Sequence, residues 1–252
     1  MGKSWTQRYG EWAVVTGCGR AEGLGYEFAQ QLAAKGLGIV LIDVLADEVE
    51  ARAQAIRETY GVETRTCVVD LGEQNCMDIL LSAIEGLDVG LLIANHMWAP
   101  HTPPKFLDVS LERLDRMLAI NAQAYTRLAH TFGRRFVERG RGGMILVSSS
   151  AALVTAPFTA SYAANKAYQL ALGEALWFEF QGTGVDIEVL TPGLTQTKLV
   201  GMAGFDQRLM MGVDRVVAES LAKLGRRHLV IPGLVNKLVV GIQTRLLPRK
   251  RM

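Results

Sequence analysis

Cysteine is scarce in this chain. Cys18, Cys67 and Cys76 are the three among 252 residues, and no two form a CxxC pair. An odd, scattered set excludes a disulfide framework and fits a reducing compartment. No metal centre is expected. Long apolar runs are also missing. No stretch reaches the roughly 18 apolar residues of a membrane helix. The N-terminal MGKSWTQRYGEW lacks the apolar core of a signal peptide, so a cytoplasmic location is expected. Repeats and low-complexity segments are absent. Charge of one sign is lacking too: 27 basic residues face 25 acidic ones, for a net +2. Such a balance argues against a general nucleic-acid binder, which shows a basic face.

What is present is apolar. Hydrophobic residues make up 49% and charged residues 21%. That excludes a disordered chain, a collagen-like chain and a coiled coil. The length suits one large α/β domain spanning residues 1–252. Short runs rich in β-branched residues occur at 12–16, 38–43, 64–69, 89–94, 144–148, 185–190 and 228–231. Helical patterns fill the gaps at 24–35, 46–60, 73–84, 110–138, 162–180 and 213–224. Near-continuous apolar strands suit a parallel sheet buried on both faces. Strict alternation predicts a doubly wound parallel sheet of about seven strands flanked by helices. Ligands then bind beyond the carboxyl ends of the strands, where strand order reverses.

Directly after the first predicted strand comes TGCGRAEGLG, residues 16–25, and then a helix. Glycines allow a sharp turn and a close backbone approach to a pyrophosphate. The helix N-terminus offers free amides to the anion. Candidate cofactor-binding residues here are Gly17, Cys18, Arg20, Gly23 and Leu24. A tight strand–helix turn without a ligand would look similar. The second strand ends at Asp43, 18 residues beyond Gly25. A carboxylate there accepts hydrogen bonds from ribose hydroxyls and repels a 2′-phosphate, which favours NAD over NADP. The alternative for Asp43 is a turn cap, and Arg20 is the residue that could greet a 2′-phosphate. Asp70 ends the third strand and could meet an adenine edge or simply close a turn.

The fifth strand runs into VSSS, 147–150, and SYAANK, 161–166, opens a helix. Tyr162 and Lys166 are four apart and share one helical face. Ser149 stands at the mouth of the strand. Tyrosine, with a reference pKa of about 10, is a poor proton carrier at neutrality unless shifted. An ammonium one turn away favours the phenolate.

In the order TGCGRAEGLG, Asp70-Leu71, IANH, the asparagine of LAINAQA, VSSS, YAANK and TPGLTQT, the chain resembles the short-chain dehydrogenase/reductase family. The resemblance runs from Trp12 to about Gly233 and implies a Rossmann-type sheet. It implies that Ser149 polarises the substrate oxygen, Tyr162 exchanges the proton, and Lys166 holds the nicotinamide ribose and lowers the tyrosine pKa. Asn121 resembles the residue that kinks its helix and steadies a water in the proton relay. Leu71, Asn95, Pro192, Gly193, Thr195 and Thr197 join the implied cofactor set. Two departures stand out. Five residues rather than three separate Gly17 from Gly23. His96 and Met97 replace the small residues expected after Asn95; His96 is read as structural because Tyr162 fills the role of base.

Leu194, Leu199, Met202, Phe205, Leu209, Met210 and Met211 lie in a segment, 194–212, placed to cover a substrate. Adaptable methionines suit a hydrophobic substrate such as a steroid, an acyl group or a bulky secondary alcohol. Met97, Trp98, Ala151, Val154 and Phe158 could line the same pocket, as could His101 its entrance; core packing is the alternative. The resemblance is nearest the hydroxysteroid dehydrogenase and ketoacyl reductase branch, which often uses NADP. The amphipathic end, 234–252, carries Arg245, Arg249, Lys250 and Arg251. It fits a peripheral membrane contact, a partner subunit or a helix packed on the domain. Family members form dimers or tetramers, so a homo-oligomer is expected. The resulting expectation is NAD-dependent interconversion of a secondary alcohol and its ketone. Its rivals are an NADP-dependent membrane-associated sterol or acyl reductase and a non-catalytic NAD-binding sensor or scaffold.

Overall fold

The structure is a computed structural model that describes residues 4–99, 105–196 and 210–246. Seven parallel strands form one sheet in the order β3-β2-β1-β4-β5-β6-β7. They are β1 (Trp12–Thr16), β2 (Gly38–Asp43), β3 (Thr64–Val68), β4 (Val89–Ala94), β5 (Gly142–Val147), β6 (Val185–Leu190) and β7 (Leu229–Val230). Order reverses at β1, which pairs with both β2 and β4, so the crevice opens beyond Thr16 and Ala94.

Alternation along the strands assigns the two cores. Ala13, Val15, Ile39, Leu41, Leu91 and Ile93 face one helical layer. That layer is α2 (Leu24–Ala33), α3 (Ala46–Tyr60) and α8 (Val213–Lys223). Val14, Val40, Ile42, Leu92 and Met144 face the other. It is built from α4 (Cys76–Ala83), α6 (Ala124–Glu138) and α7 (Ala160–Glu179). Both faces are covered, which is why the strands carry few polar residues.

Two elements add to the expected pattern. Helix α1 (Trp5–Tyr9) opens with a capping box, in which Ser4 and Gln7 bond reciprocally. It sets Tyr9 against Gly143, where a Cβ would lie 2.8 Å from the ring. This contact explains why β5 starts at Gly142 rather than at the predicted 144: the glycines pair with β6 and leave room for Tyr9. Helix α9 (Leu234–Leu246) follows β7.

The long predicted helix 110–138 is broken. It begins as α5 (Leu111–Leu118), capped by Ser110, and passes through a π-helical turn (Ala119–Gln123) into α6.

Candidate active site

The glycine turn is anchored from three sides. Gly17 adopts a φ of 70°, and a Cβ there would press on His96. At Gly25 a Cβ would meet the Gly17 carbonyl at 2.2 Å, so α2 starts hard against the turn. Asn95, at the end of β4, donates from Nδ2 to the Thr16 and Gly17 carbonyls. Gly19 N donates to Asp43 Oδ2 at 2.8 Å, and Val44 N and Leu45 N donate to Oδ1. The longer loop therefore folds onto the end of β2. Cys18 turns inward, fully buried, with its thiol toward the Val15 and Ile42 carbonyls. Burial, then the nearby Asp43, push that thiol's pKa well up, so it stays protonated. Arg20 is exposed on the loop, and Gly23 leads into Leu24 as the N-cap of α2. No side chain caps α2, which leaves its first amides to an anion.

Asp70 and Leu71 part company. Leu71 is buried, while Asp70 pairs with Arg116 of α5 and accepts from Gly72 N. Arg116 also reaches Glu73, so this pair ties the turn after β3 to α5.

Ser149, Tyr162 and Lys166 converge beyond the end of β5. Ser149 caps a short 3-10 turn, accepting from Ala151 N, and stands close enough to Tyr162 to favour that phenol's ionisation. Lys166 Nζ lies 5.9 Å from the centre of the Tyr162 ring. It donates to the Val147 carbonyl and to Gln169 Oε1, each at 3.0 Å. Ser148 Oγ holds the Lys166 carbonyl. The ionisation differs from the sequence expectation. Burial raises the Tyr162 pKa, and only the Ser149 bond works against it. Lys166 is itself buried and pulled down to about 7 by the loss of water. Its ammonium is spent on neutral oxygens rather than aimed at the phenol, so the expected lowering of Tyr162 by Lys166 is not what this geometry produces.

Asn121 is buried, 1% exposed. The π-turn points its carboxamide at the backbone of Trp98: Nδ2 donates to the Trp98 carbonyl, and Oδ1 accepts from Trp98 N. His96 bridges the same region. The Ile120 carbonyl can only accept, so His96 Nε2 carries the proton and Nδ1 accepts from the Thr16 hydroxyl. Burial first, and the Lys166 charge beside it, hold His96 down to about 3, so it is neutral. The reading of His96 as structural matches this placement. Gln169 was not singled out from sequence, although a glutamine within an apolar helical stretch is a signal that could have flagged it.

On the substrate side, Met97, Trp98, Ala151 and Val154 are half-buried around the crevice mouth, and Phe158 is exposed with a φ of 65°. Pro192, whose carbonyl takes Ser150 N, and Gly193 form the turn after β6. The Leu194 carbonyl accepts from Met211 N, and Thr195, buried, bridges to Met211. Thr197, Leu199, Met202, Phe205, Leu209 and His101 lie outside the described residues, as do Arg249, Lys250 and Arg251. Met210 and Met211 are half-buried. The tail helix α9 leaves Leu238, Val239 and Ile242 exposed, while Val240 is buried. A cavity of about 900 Å³ lies at the opposite end of the sheet, lined by Trp5, Tyr9, Lys35 and Asp186; it holds none of these groups. Among the described residues no helix is long and apolar enough to cross a membrane, and no metal-binding cluster occurs.

With this geometry in place, comparison with known proteins is direct. Residues 11–207 match the family model for short chain dehydrogenase. The chain belongs to that family. It is an oxidoreductase acting on CH–OH groups. It is 33% identical over 238 residues to a 7β-hydroxysteroid dehydrogenase of Collinsella aerofaciens, covering 92% of this chain and 89% of that one. It is 31% identical to the human very-long-chain 3-oxoacyl-CoA reductase, over 75% of this chain and 61% of that one. A structure described for 7β-hydroxysteroid dehydrogenase stereoselectivity superposes with a TM-score of 0.92 at 30% identity, covering 99% and 97% of the two chains. A Sphingobium yanoikuyae short-chain dehydrogenase in complex with NADPH gives a TM-score of 0.79 at 26% identity, over 94% and 96%.

Proposed function

We propose that this enzyme interconverts a hydroxyl group and a ketone on a steroid-like nucleus, using NAD. The observation that carries the reading is Ser149 standing against Tyr162 beyond β5, at the same carboxyl edge of the sheet as the uncapped start of α2, in a chain similar over nearly its whole length to 7β-hydroxysteroid dehydrogenases.

The residues fit a dinucleotide. Gly17 and Gly25 let the turn pack tightly onto the start of α2, whose free amides would take the pyrophosphate; Asp43 would meet the ribose, and Lys166 and the Pro192–Thr195 turn would flank the nicotinamide. A bound nicotinamide would supply the hydride acceptor or donor for the carbinol carbon. Ser149 orients the substrate oxygen and donates to it. Tyr162 gives the oxygen its proton in ketone reduction and takes it back in alcohol oxidation. Two donors held where negative charge develops form the main electrostatic contribution to catalysis. Because burial keeps Tyr162 protonated at neutral pH, the site rests in the state that ketone reduction needs. Lys166 holds a position behind Tyr162, and Asn121 fixes the backbone at Trp98 on the substrate side.

NAD is favoured by Asp43. Three backbone amides already fix its carboxylate, so it cannot swing aside for a 2′-phosphate. The apolar mouth of Met97, Trp98, Val154 and Phe158 suits a fused-ring substrate. The exposed apolar side of α9 is the surface proposed for a second copy of the chain or a membrane.

The test is turnover of hydroxysteroids and their ketones with NAD(H) and with NADP(H). Wild-type protein should turn over at least one steroid pair and prefer NAD. Tyr162→Phe should bind cofactor normally and lose about 10²- to 10⁴-fold in kcat. A preference for NADP overturns the Asp43 reading. Tight cofactor binding without turnover across the panel overturns the enzymatic one in favour of a sensor.

A further inference from the structure

Gln169 has no role in the site as drawn so far, yet it is fully buried within it, on α7 one turn beyond Lys166. Its Nε2 donates to the Asn121 carbonyl at 2.8 Å, and its Oε1 accepts from Lys166 Nζ at 3.0 Å. Chemistry fixes this orientation. A carbonyl only accepts and an ammonium only donates, so a flipped carboxamide would oppose both partners. Side chains from outside this helix thus hold two carbonyls of the π-turn: His96 holds Ile120 and Gln169 holds Asn121.

We propose that Gln169 is a positioning residue for the Lys166 ammonium, coupling it to the π-turn that presents Asn121 and filling with a carboxamide the place a bridging water would take. The inference rests on the proposed role of Lys166 behind Tyr162. Its consequence is specific. Water can pass a proton along such a bridge; a carboxamide with both ends engaged holds the lysine still and relays nothing. The ionisable groups around Lys166 are Tyr162 on its own helix, His96 after β4, and Tyr125 of α6 behind Tyr162. His96 is neutral, and burial keeps both phenols protonated. The lysine charge therefore depends on the Val147 and Gln169 oxygens, and removing one of them favours the neutral amine.

The experiment uses the full chain without cofactor first. The Lys166 amine is followed by nitrogen NMR and identified through Lys166→Met. Gln169→Met keeps the volume and removes the acceptor. Gln169→Glu keeps an acceptor and adds charge, but loses the donor to Asn121. The Lys166 titration should move down in Gln169→Met and up in Gln169→Glu. In turnover, Gln169→Met should lose about tenfold or more in kcat, with KM for the steroid within about twofold. Gln169→Glu should recover part of that loss. Identical Lys166 titrations in all three proteins, with kcat and thermal midpoint falling in parallel, would overturn the proposal. Should both variants misfold, the wild type decides: its Gln169 carboxamide protons should exchange slowly with solvent, and rapid exchange refutes the bridge. Absence of steroid turnover would sink the proposed function while leaving the NMR result to judge Gln169 separately.

Discussion

His96 shows how one residue can join two halves of a crevice. Its ring takes the Thr16 hydroxyl at the end of β1 and gives its proton to Ile120 in the π-turn, while packing 4.5 Å from the Tyr125 ring. Replacement by phenylalanine keeps the ring contact and strands the Ile120 carbonyl, while the Thr16 hydroxyl can still donate to the Ile93 carbonyl. An unpaired buried group costs about 1 to 3 kcal/mol, so His96→Phe should lose roughly that much in urea unfolding at pH 7. The pH dependence has a definite sign. The folded pKa, about 3, lies below the unfolded value of about 6.5. The unfolded chain binds the extra proton, so His96 supports folding above about pH 6.5 and that support is lost as pH falls toward 3. His96→Phe should abolish this part of the acid sensitivity; an unchanged slope would refute it. The departure at IANH is plain in the sequence. Its structural role is foreseen, but its partner is not, because the Ile120 carbonyl lies 24 positions away.

At the scale of elements, the alternation of strands and helices was legible because buried parallel strands are apolar throughout and their helices are amphipathic. β1, β2, β4 and β6 start and stop where their apolar runs do. The irregularity within 110–138 was legible only through the resemblance at Asn121, not from local composition. AINAQA contains neither proline nor glycine, and the turn is held by His96 and Gln169 from other elements, a tertiary cause. Helix α1 carried a readable capping box, Ser4 to Gln7, within a segment taken as merely polar. Tail helix α9 has its own anchor. Glu219 of α8 receives Lys223, Lys237 and Gly233 N. Partial burial opposes its charge, but these donors prevail and hold the carboxyl down to about 2. α9 in turn sets Asn236 against Gly193, where a Cβ would lie 2.4 Å from its Oδ1. Glu219→Gln should therefore raise hydrogen exchange in α9 at pH 7 and increase KM for the steroid through the Gly193 turn, leaving β1–β5 protected. In the wild type the same loosening should appear as pH falls below about 4.3 toward 2, since the folded pKa lies below the unfolded one. Uniform exchange across the sheet would contradict this local anchor.

For the whole molecule, two buried ionisable groups pull stability in opposite directions. Glu188, on β6, is fully buried; Ser220 donates to its Oε1, and Oε2 has no partner among the described residues. Burial raises its pKa to about 8, against the smaller effects of Ser220 and Lys223. Between about pH 4.3 and 8 the folded protein keeps a proton that the unfolded chain has released, so stability falls as pH rises. Lys166 works the other way. Its folded value of about 7 lies below the unfolded 10.4, so the unfolded chain holds more protons between them and stability rises with pH. The two limbs meet near neutrality, so the combined contribution of these two groups is least favourable there. Glu188→Gln keeps an acceptor for Ser220 and removes the charge. It should raise unfolding free energy at pH 8 by roughly 2 to 4 kcal/mol relative to its effect at pH 4. Lys166→Met should instead stabilise most below pH 7 and lose that advantage by pH 10. Urea unfolding of the three proteins across this range reads both limbs. If the Glu188→Gln difference were the same at pH 4 and pH 8, Glu188 would already be ionised in the native sheet, and its charge would need a partner that the packing around Ser220 does not supply.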